Sequence, residues 1–327
     1  MTFSVLPGWT AADIPDLTGR RAVVTGATSG LGEATAVELA RHGAHVVLTA
    51  RNPERGERSA ARVLAAAPDA SVEVAALDLA DLASVRAFAA EQADEPLDLL
   101  VNNAGVMAVP ERRTVDGFEL QIATNHLGPF ALTGLLLPAL LRRPGPRVVT
   151  VSSIVHWFGA LRLGDLMSER SYDPWQAYSQ SKLANLLFMR ELGRRAALAG
   201  ADLVSAAAHP GWARTNLQYV GPRMAGRRGT ETAVKAVNAV LGQSAETGAL
   251  PQLRAATDPG VRSGDYFGPR GPAGQRGLPR RARMSRNAGD DRAASLLWEA
   301  SEQLTGVPYS ALEPHEPLEL TTGQAST

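Results

Sequence analysis

The segment Thr25-Gly26-Ala27-Thr28-Ser29-Gly30-Leu31-Gly32 directly follows the short apolar run Arg21–Thr25 and opens a helical pattern over 31–42. Glycine adopts a positive φ without steric cost and lets the backbone approach a pyrophosphate, whose negative charge is favoured at a helix N-terminus. The spacing is Gly-x-x-x-Gly-x-Gly rather than the commoner Gly-x-Gly-x-x-Gly, and a plain tight turn would use similar residues. The position of the segment between a first strand and a first helix predicts a dinucleotide-binding turn. Its expected contacts are Gly26, Ser29, Gly30, Leu31 and Gly32.

Short β-branched runs alternate with alanine-rich helical patterns through most of the chain. The strand candidates are Arg21–Thr25, His45–Ala50, Val72–Leu77, Leu97–Val101, Arg147–Ser152 and Leu203–Ala208. The helical patterns lie at 31–42, 54–66, 81–93, 117–142 and 175–199. Apolar runs of strand length separated by helices predict parallel βαβ units, whose crossovers are right-handed. We therefore expect an α/β fold: a single doubly wound Rossmann-like domain with a mostly parallel, seven-stranded sheet and helices on both faces.

No change of composition divides these units, so we expect one Rossmann-like domain at 19–268, preceded by an N-terminal leader at 1–18. An insert at 154–174 and a lid region at 212–228 are expected to lie near the substrate. The remainder, 269–327, is expected to form a C-terminal loop and a closing helix.

The end of the chain contains one segment without regular patterning and one with clear helix signals. The Arg/Gly/Pro-rich segment 268–289 is interpreted as a loop. Asp290–Thr305 is expected to be the closing helix, because its first turn is acidic and Gly306 and Pro308 follow its end.

Composition excludes several classes of function. The 327 residues carry 33 basic and 33 acidic side chains, so no net field attracts nucleic acid or anionic lipid. The chain has no cysteine, which excludes disulfides and thiolate metal sites, and His126, His156 and His209 fit no metal-ligand spacing. No apolar run approaches the ~20 residues that span a bilayer. We expect a cytoplasmic protein with no bound metal, no nucleic acid partner and no membrane span.

Only two basic residues are lysines, Lys182 and Lys235, and the others are arginine. Together with abundant alanine, this bias is typical of a GC-rich bacterial genome. A lysine retained in such a chain is a candidate for a specific role.

The end of the second strand, Leu48-Thr49-Ala50-Arg51-Asn52, lacks the acidic residue that usually binds the ribose of NAD. The guanidinium of Arg51 matches the geometry of a phosphate, and we expect it to pair with the 2′-phosphate of NADP, with Asn52 beside it. A solvated arginine is the alternative. NADP(H) is therefore the expected cofactor, and NAD(H) remains possible.

Tyr178-Ser179-Gln180-Ser181-Lys182 places a phenol and an ammonium four residues apart near the start of a helical pattern. Residues at i and i+4 share a helix face, so both groups can meet one ligand. The ordinary pKa of tyrosine is ~10, and a nearby cation favours the phenolate. We therefore expect Lys182 to lower the pKa of Tyr178 and to tune it for proton transfer. An ordinary surface helix face is the alternative.

These motifs occur in an order that closely resembles the short-chain dehydrogenase/reductase superfamily over roughly residues 18–268. The matching segments are the glycine turn, Asn102-Asn103-Ala104-Gly105, Ser152-Ser153, Tyr178 with Lys182, and His209-Pro210-Gly211. Tyr178–Asn185, the insert before it and the closing Trp298-Glu299…Leu304-Thr305-Gly306 are similar to the retinol dehydrogenase-like branch.

The resemblance implies a catalytic set of four residues. Tyr178 would be the general acid or base, and Lys182 would hydrogen-bond the nicotinamide ribose. Ser153 would hold and polarise a substrate carbonyl, and Asn125 would anchor a water that links Lys182 to solvent. Two simpler interpretations stay open: Ser153 could cap a turn, and Asn125 could cap or bend its helix.

The resemblance also implies further cofactor contacts. They are Asp78 and Leu79 at the adenine, Asn103, Ala104 and Gly105 at the adenosine ribose and the central sheet, and Pro210 and Thr215 at the nicotinamide amide. Asp78 could instead cap the next helix, although Asp81 is better placed for that.

The expected substrate pocket collects a large share of the few aromatic side chains. The insert supplies Trp157, Phe158 and Trp175, and the segment after the sixth strand supplies Trp212, Leu217, Tyr219 and Met224. We expect a lipophilic small-molecule carbonyl or alcohol as substrate, with Trp157, Trp175 and Trp212 in the pocket; the alternative is that they only anchor loops. The insert makes the gap between Ser153 and Tyr178 longer than is usual for the superfamily, which leaves the shape of the pocket open.

The expected function is that of an NADP(H)-dependent oxidoreductase that interconverts a carbonyl and an alcohol. Two alternatives remain: a carbon–carbon double-bond reductase of the protochlorophyllide reductase-like type, and a nucleotide-sensing Rossmann protein without catalysis. A homo-oligomer is possible through the helices expected at 117–142 and 175–199.

Overall fold

Arg21–Val24 form the strand from which the sheet extends in both directions. This computed structural model describes residues 8–212 and 242–313. Its strands are β1 Arg21–Val24, β2 His45–Ala50, β3 Val72–Ala76, β4 Leu99–Asn102, β5 Arg147–Val151, β6 Val204–Ala208, β7 Tyr266–Pro269 and β8 Pro279–Arg281. Their order across the sheet is β3-β2-β1-β4-β5-β6-β7-β8. The order reverses between β1 and β4, which is where doubly wound sheets bind ligands.

The expected α/β fold is confirmed, but the sheet of the described residues has eight strands, and the expectation of seven was wrong. The additional strand, β8, pairs antiparallel with β7 and lies inside the segment 268–289 that was interpreted as a loop. The two strands form a hairpin in which the Arg270 N–H donates to the carbonyl of Leu278, 2.9 Å away. Because Arg280 and Arg281 of this edge strand are exposed, no buried face marks it in the sequence.

The helices are α1 Gly30–Arg41, α2 Pro53–Ala66, α3 Leu82–Glu91, α4 Leu120–Ile122, α5 Gly128–Leu141, α6 Pro174–Leu198, α7 Ala245–Thr257 and α8 Asp291–Thr305. The five helical patterns expected before residue 200 are confirmed, with ends that differ by a few residues. The fourth is not one regular helix, because the π-helical turn Ala123–Leu127 separates α4 from α5. Short 3₁₀ turns lie at Ala11–Asp13, Ile154–Phe158, Leu163–Asp165, Pro272–Gly274, Asn287–Gly289 and Ser310–Leu312.

Helix α7 was not expected from the sequence. It begins after Ser244, whose hydroxyl accepts a hydrogen bond from the Thr247 N–H. Gly248 and Pro251 both lie inside its 13 residues and are buried. Both residue types disfavour helix interiors, so the local sequence opposes a helix that packing against α1 stabilises.

The parallel pairing brings the ends of distant strands to one edge of the sheet. Val24 pairs with Leu48 of β2 and with Val101 of β4, and Asn102 pairs with Thr150 of β5. Because parallel strands end at the same edge, the glycine turn and the segments after β4 and β5 all begin there.

The closing helix α8 was correctly expected from its ends. Asp290 accepts a hydrogen bond from the Ala293 N–H at 3.0 Å, and Gly306 ends the helix in the left-handed conformation with φ +61°. Trp298 of α8 is 1% exposed and packs against the rings of Phe130 in α5 and Phe188 in α6, at 5.1 and 5.9 Å between centroids. Helix α8 therefore packs against α5 and α6, the two helices through which a homo-oligomer was expected.

Within residues 8–212 and 242–313, no helix combines the length and the apolar character needed to cross a bilayer.

Candidate active site

A cavity of about 580 Å³ lies at the carboxyl edge of the sheet. Its lining includes most of the residues expected to bind a cofactor or to act in catalysis: Gly26, Ser29, Gly30, Leu31, Gly32, Arg51, Asp78, Leu79, Asn103, Ala104, Gly105, Ser153, Tyr178, Lys182 and Pro210. Trp175 and Trp212 also line it. Asn52, Asn125 and Trp157 do not appear in the lining, and Thr215 lies outside the described residues.

The glycine turn is packed so closely that side chains would not fit at Gly26 or Gly32. Gly26 and Gly30 have φ values of +65° and +60°, which favour glycine. A Cβ on Gly32 would lie 2.5 Å from the Gly26 carbonyl oxygen, and one on Gly26 would lie 2.9 Å from Ala104. The bare backbone of the turn therefore forms part of the cavity wall at the start of α1.

Side chains behind the turn hold it in place. The Asn103 amide donates to the Thr25 carbonyl at 2.7 Å, and the Thr25 hydroxyl accepts from the Asn103 N–H at 2.9 Å. Gln252 of α7, which is 1% exposed, donates to Asn103 Oδ1 at 3.2 Å and to Thr35 Oγ1 at 2.6 Å. Sequence reasoning missed Gln252 because it missed α7.

Three arginines line the end of the cavity beside β2. Arg51 is exposed there, as expected, and Arg55 and Arg58 of α2 join it. Asn52 does not reach the cavity, since its side chain caps α2 by accepting from the Arg55 N–H at 2.9 Å. Asn52-Pro53 is a typical helix start, so the sequence could have shown that α2 begins directly after Arg51. Arg55 could then have been placed in the first turn of α2, near Arg51.

Asp78 and Asp81 have separate roles in the backbone after β3. Asp81 caps α3 by accepting from the Ala83 N–H at 2.9 Å, as expected of the better-placed residue. Asp78 accepts from the Ala80 N–H at 3.0 Å and lines the cavity together with Leu79.

Tyr178 and Lys182 face the cavity from the second and third turns of α6. Asp173 caps this helix through the Gln176 N–H at 2.8 Å, and Pro174 occupies its first position. The Lys182 ammonium lies 5.8 Å from the Tyr178 ring centroid and donates to the Val151 carbonyl at 3.1 Å.

Ser153, after β5, lies near enough to Tyr178 for its hydroxyl to lower the pKa of the phenol, and both residues line the cavity. It also begins the 3₁₀ turn Ile154–Phe158 by accepting from the Val155 N–H at 3.4 Å. The residue therefore both caps a turn and faces the phenol.

The expected lowering of the pKa of Tyr178 by Lys182 is not found. Burial raises the pKa of Tyr178 to about 12, and the neighbouring Ser153 hydroxyl opposes this only in part. Burial also lowers the pKa of Lys182 to about 8. Both side chains are 3% exposed, so loss of solvation is the main cause of both pKa shifts.

Asn125 lies in the π-helical turn, where both ends of its side chain bind the backbone of Val106. Its Oδ1 accepts from the Val106 N–H at 2.7 Å, and its Nδ2 donates to the Val106 carbonyl at 2.9 Å. The same Nδ2 is 2.9 Å from Ser181 Oγ. A Cβ on Gly105 would meet both Asn125 Oδ1, at 2.9 Å, and Lys182 Nζ, at 3.4 Å. Gly105 therefore leaves the space between the amide and the ammonium open.

Two of the three expected pocket tryptophans are at the cavity. Trp175 is 53% exposed, and its ring packs edge-on against Tyr178 at 6.2 Å. Trp212 also lines the cavity. Trp157 does not, because its ring packs against His156 at 5.6 Å. Phe158, also expected there, is 83% exposed and does not line the cavity. The remaining expected pocket residues, Leu217, Tyr219 and Met224, lie outside the described residues.

Comparisons with known proteins agree with this geometry. Residues 20–220 match the family described as short chain dehydrogenase. The chain is 39% identical to retinol dehydrogenase 14 of Mus musculus, over 88% of this chain and 86% of that protein. It is also 39% identical to retinol dehydrogenase 13 of Homo sapiens, over 88% and 85% of the two chains.

Solved structures are similar as well. A crystal structure of an uncharacterized protein from Mycobacterium paratuberculosis has 46% identity and a TM-score of 0.77, and covers 93% of this chain and 99% of that one. A structure described as an NAD(P)-dependent gluconate 5-dehydrogenase from Beutenbergia cavernae, with bound NADP, has 28% identity and a TM-score of 0.55. It covers 74% of this chain and 91% of that one.

Proposed function

The chain belongs to the short-chain dehydrogenase family, and from this premise we propose that it interconverts a carbonyl and an alcohol on a lipophilic small molecule with NADP(H). The family and the retinol dehydrogenase relatives establish the coarser statement that the protein is an oxidoreductase acting on CH–OH donors with NAD(P). The observation that carries the proposal is the placement of Tyr178, Lys182 and Ser153 around the same cavity as the glycine turn.

The cavity residues fit a dinucleotide. The volume of the cavity, about 580 Å³, is in the range of small-molecule sites. At Gly26, Gly32 and Gly105 a Cβ would collide with neighbouring atoms, so the wall there is backbone that a ligand can approach closely. We propose that this backbone wall binds the dinucleotide together with Asp78, Leu79, Asn103, Ala104 and Pro210. Thr215, which lies outside the described residues, is a further proposed contact. When bound, the dinucleotide supplies or accepts a hydride.

Tyr178 is the proposed proton donor for reduction of a carbonyl. With its pKa raised to about 12, the phenol is protonated at neutral pH, which is the form that can donate. Ser153 lines the cavity beside this phenol, so one carbonyl oxygen can accept from both hydroxyls. The proton moves from Tyr178 to the oxygen as the carbonyl carbon is reduced, and solvent returns a proton to the phenolate. In alcohol oxidation the phenolate accepts the proton instead.

Lys182 and Asn125 are proposed to support that proton transfer. The ammonium stabilises the phenolate that forms, because opposite charges at this distance attract strongly in a buried site. Asn125 is the proposed anchor of a water that links Lys182 to solvent. This role is supported by the position of the Asn125 amide and the Lys182 ammonium, which both lie close to Gly105.

The preference for NADP(H) rests on Arg51, Arg55 and Arg58 at the cavity edge. Guanidinium groups bind phosphate through paired hydrogen bonds, and no acidic side chain follows β2 to bind a free ribose hydroxyl. Arg51 is the proposed partner of the 2′-phosphate.

The proposed class of substrate rests on Trp175 and Trp212. Both line the cavity, and the Trp175 ring lies beside the phenol of Tyr178. Large aromatic surfaces near the reacting hydroxyls favour an apolar substrate over a sugar or a charged acid.

The experiment that tests this function follows NADPH oxidation across lipophilic aldehydes, ketones and enones, with Tyr178→Phe beside the wild type. We expect alcohols as products and a loss of turnover of about 100-fold or more in the variant, since a positioned acid contributes about 10²–10⁴-fold. The variant should still bind NADPH, as measured by quenching of tryptophan fluorescence. Saturated carbonyl products from enones would instead support double-bond reduction, and binding without any turnover would support a nucleotide sensor.

A further inference from the structure

His156 lies one turn after Ser153 and is the buried residue that connects this turn to the C-terminal part of the chain. Its side chain is 0% exposed. Nδ1 lies 2.7 Å from the carbonyl oxygen of Ser153. On the other side of the ring, Nε2 lies 3.1 Å from the backbone nitrogen of Ser285.

These two contacts determine where the proton of the ring resides. A backbone N–H can only donate, so Nε2 must accept from Ser285 and carries no proton. A carbonyl can only accept, so the proton is on Nδ1 and is donated to Ser153. Burial lowers the pKa of His156, which keeps the ring neutral, as this arrangement requires.

We propose that His156 is a positioning residue for catalysis: its Nδ1–H holds the backbone of Ser153 so that the serine hydroxyl faces Tyr178, and Ser285 holds the ring in the tautomer that can do so. This inference rests on the proposed function, in which the Ser153 hydroxyl binds the reacting oxygen.

Neighbouring rings restrict how the imidazole can move. Trp157 packs against it at 5.6 Å between centroids, and Tyr266 of β7 meets it edge-on at 5.6 Å and 87°. The backbone N–H of His156 also donates to the Ser153 carbonyl, at 3.1 Å. The backbone hydrogen bond therefore forms the turn without the imidazole. The ring Nδ1–H is a second donor to the same Ser153 carbonyl and restricts the orientation of Ser153.

A parallel link between the same two segments does not involve Ser153. Asn287 Nδ2 donates to the carbonyl of Gly159 at 3.0 Å. Since Asn287 is exposed and outside the cavity lining, its loss should affect only the attachment of the C-terminal segment. Asn287→Ala is therefore a matched control.

Two substitutions separate the contacts of the imidazole. In His156→Asn the amide nitrogen is as many bonds from Cα as Nδ1, so it can donate to Ser153 but cannot reach Ser285. In His156→Gln the amide oxygen is as many bonds from Cα as Nε2, so it can accept from Ser285 while the donor to Ser153 is lost. A role limited to stability would make kcat and Tm change together in both variants.

We expect kcat to follow the Ser153 contact and Tm to follow the Ser285 contact. With NADPH and the best substrate of the panel, His156→Gln should lower kcat about tenfold or more, because displacement of a reacting group by about 1 Å can cost on the order of 100-fold. His156→Asn should restore most of that kcat but have the lower Tm. Asn287→Ala should lower Tm without lowering kcat, and KM for NADPH should be unchanged in all three variants.

Several outcomes would overturn the inference. Equal kcat in the two His156 variants, or a higher kcat in His156→Gln, would do so, because turnover would then not depend on the donor to Ser153. Ring ¹⁵N spectra of the wild type that place the proton on Nε2 would do so without any kinetics. Absence of turnover in the wild type would overturn the proposed function and this inference with it, whereas turnover in the wild type with equal losses in both variants overturns the inference alone.

Discussion

The ammonium of Lys182 lies 5.8 Å from the ring centre of Tyr178, and its hydrogen bond goes to the Val151 carbonyl. The two groups are neighbours in one buried site. Loss of solvation is the main cause of the pKa of each group, about 12 for Tyr178 and about 8 for Lys182.

The pKa of Lys182 predicts the alkaline limit of activity. A lysine that loses its proton near pH 8 loses the charge that stabilises the phenolate, so kcat/KM for NADPH should fall above about pH 8. In Lys182→Arg the cation persists at all accessible pH values, and we expect this limb to disappear even if the maximal rate is lower. The check is a pH profile from 6 to 10 for both proteins. Persistence of the limb in the arginine variant would assign it to another group.

Reversal of charge at Arg51 should change the choice of cofactor. Arg51→Asp replaces a guanidinium at the cavity edge by a carboxylate, which repels a 2′-phosphate and can accept from a ribose hydroxyl. We expect KM for NADPH to rise about tenfold or more, since a charge-assisted hydrogen bond is worth about 1.5–3 kcal/mol, while KM for NADH changes little or falls. Arg280→Asp on the exposed edge strand is the control. Equal weakening of both cofactors would contradict the assignment.

A methyl group at Gly32 should block the dinucleotide. In Gly32→Ala the new Cβ would lie 2.5 Å from the Gly26 carbonyl and 2.6 Å from Asn103 Nδ2, so the turn must shift. We expect binding of NADPH, measured by titration of fluorescence, to weaken by about tenfold or more, because a shift of the backbone removes hydrogen bonds worth about 1 kcal/mol each. Gly164→Ala is the matched control, since a Cβ there meets nothing within 4 Å. Unchanged binding in Gly32→Ala would show that the dinucleotide does not use this turn.

Buried histidines should make the fold sensitive to acid. Burial lowers the pKa of His126 from 6.5 to about 3, so below about pH 6.5 the unfolded chain binds a proton that the folded protein does not. The free energy of unfolding should therefore fall as the pH falls, by about 1.4 kcal/mol per pH unit from this group between about pH 6 and 3. His209, with a pKa lowered to about 4, acts in the same direction.

Urea unfolding at pH 7.5 and pH 5 checks this prediction. His126→Gln retains a donor for Ser301 Oγ, 2.8 Å from Nε2, and removes the titrating ring, so its stability should depend less on pH than that of the wild type. A wild type that is equally stable at both pH values would be inconsistent with buried neutral histidines.

Elements with their own local signals could be predicted from the sequence. β2 has a continuous apolar run, and α8 has an acidic cap at Asp290 and a left-handed Gly306, so each is specified by the residues within it. The glycine turn was predictable for the same reason, because a positive φ at Gly26 and Gly30 needs glycine.

Elements that depend on packing could not be predicted. α7 contains Gly248 and Pro251 and exists because it packs against α1, and β8 exists because its backbone pairs with β7. The wrong direction for the pKa of Tyr178 has the same origin. The spacing to Lys182 is visible in the sequence, but the burial that dominates the pKa is a property of the folded site.

The position of α8 has a consequence for synthesis of the protein on the ribosome. The rings of Phe130 and Phe188 emerge long before Trp298, which covers them in the finished fold. An incomplete chain therefore presents aromatic surface that α8 has yet to cover, and Ser285 is missing from His156 over the same interval. Nascent chains of this protein should consequently bind chaperones until α8 has left the exit tunnel, and the contact between His156 and Ser285 forms only when both residues are outside it.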